Sequence, residues 1–253
     1  MGEDIRMEKI RLKIKRQDGP NEKSYWEEFE LPYKENLNVI SLLQAIALNP
    51  INAKGEKVAP IVYESNCLEE VCGACSMVIN GKARQACSTL VDKISQPIVL
   101  EPLDKFPIVR DLMVDRTALF EALKKVKAWV DIDGIYDMGF GPKDFEANQM
   151  IRYDFSRCMT CGCCAQSCPN YTLKGDFIGP AAVGQALLFN LHPTGGERKG
   201  ERYEALMAPG GLFECGNSQN CVRTCPKEIP LTSSLAKMKQ KVTWYAIKSI
   251  FTK

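Results

Sequence analysis

Cys158-Met-Thr-Cys161-Gly-Cys163-Cys164-Ala-Gln-Ser-Cys168-Pro169 is the stretch whose reading decides the architecture of the chain. Its register, Cys-x2-Cys-x2-Cys-x3-Cys-Pro, closes three thiolates around an iron-sulfur cube and sends the fourth to a second cluster of a pair. A mate run is therefore required. It lies downstream as Cys215-Gly-Asn-Ser218-Gln-Asn-Cys221-Val-Arg-Thr-Cys225-Pro226, in the same register but with Ser218 at the second ligand position.

The rule that the fourth Cys of each run serves the other cluster assigns the thiolates. Cys158, Cys161, Cys164 and Cys225 hold a 4Fe-4S cube, while Cys168, Cys215 and Cys221 surround a site one thiolate short. A cube without its corner ligand is most simply a 3Fe-4S cluster; the alternatives are a fourth iron held by Ser218 or by water. Cys163 stands outside both registers and reads as a small apolar residue packed beside the cube, with a redox thiol as the other reading. Pro169 and Pro226 turn the chain away after each run.

Working toward the N-terminus, residues 88–157 contain no cysteine, and before them comes Cys67-x4-Cys72-x2-Cys75-x11-Cys87. This is the plant-type spacing of a 2Fe-2S centre, with three thiolates from one loop and one from a neighbouring strand. Gly73 leaves room for backbone beside the cluster. Zinc is the alternative for four thiolates.

The flanking texture divides the chain. Ile10, Leu12 and Ile14 alternate with charged residues as in a half-buried strand, and a second strand is expected over residues 25–31. Asn38 can cap a helix through Val39, Leu42, Leu43, Ile46 and Leu48 that Pro50 ends. Asn80-Gly81 signals a type I′ hairpin, and Ile98 to Leu100 supply a last strand. After a boundary within residues 103–115 the spacing turns helical: a helix over 115–130 with Leu119, Leu123, Val126 and Val130 on one face, others over 181–191 and 201–207, and a final one capped by Thr232, Ser233 or Ser234 and bearing Leu235, Met238, Val242 and Tyr245. The fold class is α+β, divided as residues 1–110 and 111–253.

Composition sets outer limits. The 253 residues carry 33 Lys plus Arg, 31 Asp plus Glu, twelve Cys and one His. Cysteine at about 5% is too sparse for a disulfide scaffold, so metal ligation leads. His192 alone excludes two-His iron or zinc sites and side-chain catalysis built on histidine. No stretch of about 18 apolar residues is present, and the acidic start at Met1 lacks a signal-peptide h-region, so a soluble chain in a reducing compartment is expected.

Together these runs resemble the iron-sulfur subunit of succinate dehydrogenase and fumarate reductase, the respiratory complex II family, over nearly the whole chain, including a linker with Pro107-Ile-Val-Arg-Asp-Leu112. The resemblance implies an N-terminal β-grasp 2Fe-2S ferredoxin-type domain and an all-α, bacterial-ferredoxin-like domain with two clusters. It implies electron relay between the FAD of a flavoprotein subunit and a membrane quinone, through 2Fe-2S, 4Fe-4S and 3Fe-4S clusters in that order (EC 1.3.5.1 type), with no substrate chemistry of the chain's own. One or more membrane anchor subunits, with or without haem, are the implied partners, with no nucleic acid. The implied place is the cytoplasmic face of the membrane, peripherally bound.

Departures refine this. Cys75 keeps the first site all-thiolate where some relatives carry Asp. Asn170-Tyr171-Thr172-Leu173 and Gly216 replace a Trp and a His found near the cubes in many ubiquinone-linked members, which points to the menaquinone-linked branch. His192 reads as a hydrogen-bonded structural residue, with a proton relay near the quinone as the sharper option. Residues 227–253 hold six Lys against Glu228, a solvated face or an anchor- or lipid-facing end. Tyr25 and Trp26 read as core or subunit interface. Arg110 and Arg157 either raise a cluster's potential or pair with a carboxylate. The competing functions are a subunit of another flavoprotein- or thiol-linked oxidoreductase, which usually carries a further Cys-rich domain, and a zinc-binding structural module.

Overall fold

Ile10, Leu12 and Ile14 are at most 1% exposed while Lys9 and Arg11 face solvent, so strand β1 (Lys9–Arg16) buries one face as its alternation requires. The protein is described here by a computed structural model covering residues 9–131 and 144–251. It divides into two compact units, Met1–Asp115 with Cys161–Cys163, and Arg116–Thr160 with Cys164–Lys253. The N-terminal residues read for a targeting segment, and Lys253 of the basic end, lie outside the described residues.

In the first unit β1 pairs antiparallel with β2 (Tyr25–Pro32) and parallel with β5 (Ile98–Glu101). A hairpin of β3 (Ser76–Ile79) and β4 (Lys82–Gln85) completes a five-stranded sheet in the order β2-β1-β5-β3-β4. Asn80 and Gly81 both take positive φ, 47° and 74°, the conformation a type I′ turn demands. One helix, α1 (Val39–Leu48), lays Val39, Leu42, Leu43 and Ile46 on the core that Ile10, Leu12, Ile14, Ile98 and Leu100 share. Asn38 caps it, its side-chain oxygen accepting from Ser41 N at 2.9 Å. A ribbon of β6 (Ile108–Arg110) and β7 (Met113–Val114) turns through Asp111, whose carboxylate meets the buried Arg16 guanidinium and the backbone N–H of Gln17 and Val62. Tyr25 and Trp26, expected as core or interface, stand 41% and 44% exposed, with Lys13 Nζ 5.1 Å above the Trp26 ring.

Among its described residues the second unit has helices and no strand: α2 (Thr117–Lys125), α3 (Glu146–Ser156), α4 (Cys163–Gln166, begun by a residue of the first unit), α5 (Gly179–Leu191), α6 (Lys199–Met207), α7 (Asn220–Thr224) and α8 (Leu231–Phe251). With α1 these make eight α-helices among the described residues. Ala182, Val183, Ala186 and Leu187 of α5 pack with Phe155, Leu206, Leu231, Leu235, Met238 and Val242. Two expectations are corrected, and one further helix is found. The helix expected over 115–130 stops at Lys125, because Lys127 takes φ 48° and closes a Schellman cap, with Ala128 N donating to Leu123 O and Lys127 N to Lys124 O, each at 3.0 Å. The last helix begins at Leu231 rather than after Thr232, Ser233 or Ser234, and the Ser234 hydroxyl instead donates back to Leu231 O at 2.7 Å. Helix α3 was not expected from the spacing, since of its eleven residues only Phe155 is fully buried. Among the described residues no helix is long and apolar enough to cross a membrane.

Candidate metal centres

The loop between Cys67 and β3 is built to aim backbone N–H groups at sulfur. Leu68, Glu70 and Gly73 adopt positive φ (62°, 57° and 73°), and the alternation turns successive amides inward. Glu69, Val71 and Cys72 N–H groups donate to Cys67 Sγ at 3.4, 3.3 and 3.3 Å, Ala74 N–H to Cys72 Sγ at 3.4 Å, and Glu70 N–H reaches across to Cys87 Sγ at 3.3 Å. Two non-glycine residues held left-handed cost on the order of 1 kcal/mol each, a strain that the sulfur-directed amides account for.

The four thiols of this site form two pairs. Cys72 acts on Cys67 and Cys87 acts on Cys75, each close enough to shift the pKa of the thiol it acts on. Three backbone donors pull the Cys67 thiol down to about 6. Burial, with the Cys87 thiol adding to it, pushes Cys75 up to about 12. Cys75 directly precedes β3 and Cys87 lies two residues past the end of β4, so the hairpin that Asn80-Gly81 closes is what brings the fourth thiol to the loop. Two pairs of thiols suit a two-iron centre, and the backbone N–H groups fit sulfur that carries negative charge. The residues present therefore fit a 2Fe-2S cluster.

In the second unit the charges of Cys168 and Cys215 reach Cys221, whose thiol is pushed up first by burial and then by these two neighbours. One cysteine of the upstream run thus stands close to two of the downstream run. Lys239 of α8 donates to the Cys215 carbonyl at 3.1 Å, placing a cation at this group. Ser218 sits between Asn217 and Gln219, both left-handed at φ 57° and 61°, and its carbonyl accepts from Arg223 at 3.4 Å. Cys158, Cys164 and Cys225 belong to or pack on the core of this unit. Tyr171 is buried close enough to Cys164 that burial first, and that thiol second, push its hydroxyl pKa up.

Cys161 and Cys163 are carried by the first unit, with Gly162 between them. Gly162 has φ +88°, and a Cβ there would lie 3.2 Å from the Phe106 ring, so both conformation and close approach call for glycine. Among the described residues no two cysteines are joined by a disulfide.

The remaining candidates resolve locally. His192 ends α5, and its Nδ1 accepts from Gly195 N at 3.2 Å and lies 3.1 Å from Thr194 Oγ1, the hydrogen-bonded loop role. Arg157 pairs with Asp154 at 3.1 Å and lies over the Tyr153 ring. Two residues at the sites had no signal in the sequence: Lys239, hidden in a run of lysines, and Gln85, whose side chain meets Cys75 through space.

Two matches with family models follow this division. Residues 11–121 match a 2Fe-2S iron-sulfur cluster binding domain, and residues 154–229 match a 4Fe-4S dicluster domain. The chain is 56% identical over 242 residues to a succinate dehydrogenase iron-sulfur subunit of Bacillus subtilis, covering 96% of each chain. It is 32% identical over 203 residues to a fumarate reductase iron-sulfur subunit of Escherichia coli, covering 79% of each. A solved Mycobacterium smegmatis Sdh1 complex contains a chain of the same fold, with a TM-score of 0.76 at 20% identity over 92% of this chain and 95% of that one. Fold and thiol arrangement define a protein with a 2Fe-2S domain followed by a dicluster domain. The chain belongs to the family of succinate dehydrogenase and fumarate reductase iron-sulfur subunits.

Proposed function

We propose that this chain is the electron-carrying subunit of a succinate:quinone oxidoreductase or quinol:fumarate reductase, a quinone-linked enzyme of the respiratory chain and tricarboxylic acid cycle. The carrying observation is the Cys67 to Cys87 cage, two thiol pairs under five sulfur-directed amides, in a chain 56% identical to such a subunit. Bound clusters supply one-electron storage at fixed positions, which couples the two-electron chemistry of a partner's FAD to a quinone. Cys67, Cys72, Cys75 and Cys87 hold 2Fe-2S; Cys158, Cys161, Cys164 and Cys225 hold 4Fe-4S; Cys168, Cys215 and Cys221 hold 3Fe-4S, with Ser218 at the vacant ligand position and Cys163 outside every set.

The protein's own work is positional and electrostatic. Amides around Cys67 stabilise negative charge on sulfur, Lys239 holds the Cys215 segment, and Gly162 lets the loop bearing Cys161 lie against Phe106. No side chain here needs to move a proton on a dicarboxylate. The sheet order with one packed helix supports a β-grasp domain within residues 1–110, and the helices support a bacterial-ferredoxin-like domain within 111–253. Menaquinone is the quinone that Gly216 and residues 170–173 favour. Attachment is peripheral, on the cytoplasmic face, to an anchor subunit. Trp244, Ile247, Ile250 and Phe251, exposed on α8 beside Lys248, offer an apolar and basic end for that contact.

Purification from membranes tests this. A flavoprotein and an anchor subunit should accompany the chain, and the complex should pass electrons from succinate to a menaquinone analogue. A flavoprotein partner without dicarboxylate activity would place the chain with a different oxidoreductase.

A further inference from the structure

Gln85 ends β4 with a fully buried side chain, and its amide touches three groups of the first unit. Oε1 lies 3.4 Å from Cys75 Sγ; Nε2 lies 2.8 Å from Ser76 Oγ, on its cross-strand partner, and 3.6 Å from Cys163 Sγ. Cys163 is itself fully buried. The Gln85 backbone is pinned as well, its carbonyl accepting from Thr89 Oγ1 at 2.7 Å. A buried amide with such partners cannot leave its place without abandoning hydrogen bonds.

The orientation of that amide follows from the chemistry of Cys75. As a metal ligand, Cys75 is a thiolate with no proton to give, and an amide oxygen facing it would be repelled. Exchanging the amide O and N, which occupy nearly the same space, puts Nε2–H on Cys75 Sγ. Oε1 then faces Cys163, whose S–H can donate to it, and Ser76, whose hydroxyl turns from the Gly73 carbonyl toward Gln85.

We propose that Gln85 is a positioning residue that sets the potential of the 2Fe-2S centre by donating a hydrogen bond to the Cys75 ligand sulfur, and that Cys163 is the thiol that holds the amide in this orientation. This rests on the assignment of Cys75 as a ligand. It gives the one cysteine outside every ligand set a task. A donor to ligand sulfur favours the more negative, reduced state and so raises the potential.

EPR-monitored redox titration of the anaerobically purified complex tests the proposal. At the wild-type midpoint, Gln85→Leu should lower the reduced-to-oxidised ratio of the 2Fe-2S centre about tenfold, equivalent to ~59 mV for one electron. The 3Fe-4S midpoint should stay in place. Cys163→Ala should move the 2Fe-2S ratio in the same direction by less, and it keeps the test open if Gln85→Leu does not fold. Side-chain 15N-labelled glutamine should show hyperfine coupling to the reduced 2Fe-2S centre in the wild type. A normal 2Fe-2S signal without that coupling, or a ratio unchanged within about twofold in either variant, overturns the role of the amide alone. A wild-type complex without a 2Fe-2S signal overturns the ligand assignment and the proposal with it.

Discussion

Asp111→Asn isolates the interaction that ties the approach to the first cluster loop onto the sheet. In the wild type, the Asp111 carboxylate accepts Arg16 Nε at 2.9 Å, Arg16 Nη2 at 3.2 Å, Gln17 N at 3.1 Å and Val62 N at 2.9 Å, with both side chains at most 1% exposed. Burial opposes the Arg16 charge, but the hydrogen bond and charge of Asp111 outweigh it and the guanidinium pKa is raised. Asparagine keeps the shape but presents an NH2 group to donors on one side, and it removes a counter-charge. Removing one partner of a buried pair costs about 3 to 5 kcal/mol. Glu27, 2.5 Å from Arg16 Nη1, still faces the cation, which sets the expectation at the lower end, about 3 kcal/mol. That is more than a hundredfold in the folding equilibrium. With a urea slope of about 2 kcal/mol/M, the midpoint should fall by about 1.5 M. Loss of the 2Fe-2S visible absorbance against urea reads it, because Val62 lies five residues before Cys67. Glu27→Gln, removing a single contact at the edge of the pair, should cost less. A shift under about 0.5 M for Asp111→Asn, or a larger one for Glu27→Gln, would refute the reasoning.

Two further outcomes are expected. In protein stripped of iron by chelation, brief alkylation at pH 7 should label Cys67 first and Cys75 last, because thiols near 6 and near 12 are respectively mostly thiolate and almost wholly protonated; peptide mass spectrometry reads the order, and equal labelling would contradict the cage geometry. Lys239→Met removes a cation from the Cys215 carbonyl and should lower the 3Fe-4S midpoint in a redox titration while leaving the 2Fe-2S midpoint unmoved.

What was legible in the sequence was what local chemistry decides. Asn80-Gly81 and Asn38 act through their own backbone and side chain within a few residues, so the hairpin and the capped helix could be read directly. Cysteine spacing is equally local for the first site, since one loop supplies three of its thiols. The end of α2 was not legible because its left-handed residue is Lys127, where glycine would have given the signal. Leu68 and Glu70 are likewise left-handed without a glycine to signal it, held by neighbouring amides turned toward sulfur. Gln85 and Lys239 reach their partners through folded space, ten and 24 residues away in sequence, and no pattern announces them. The final helix reads two to four residues late in the sequence because three hydroxyl residues imitate a cap, while Pro230 and Leu231 begin the turn.

Iron analysis combined with EPR on the anaerobically isolated wild-type complex and its Ser218→Cys variant tests the cluster assignment most directly. The wild type should hold about nine irons per copy of this chain and show the signal of an oxidised 3Fe-4S centre; the variant should gain about one iron and lose that signal. About ten irons in the wild type, with no oxidised 3Fe-4S signal, would contradict the account.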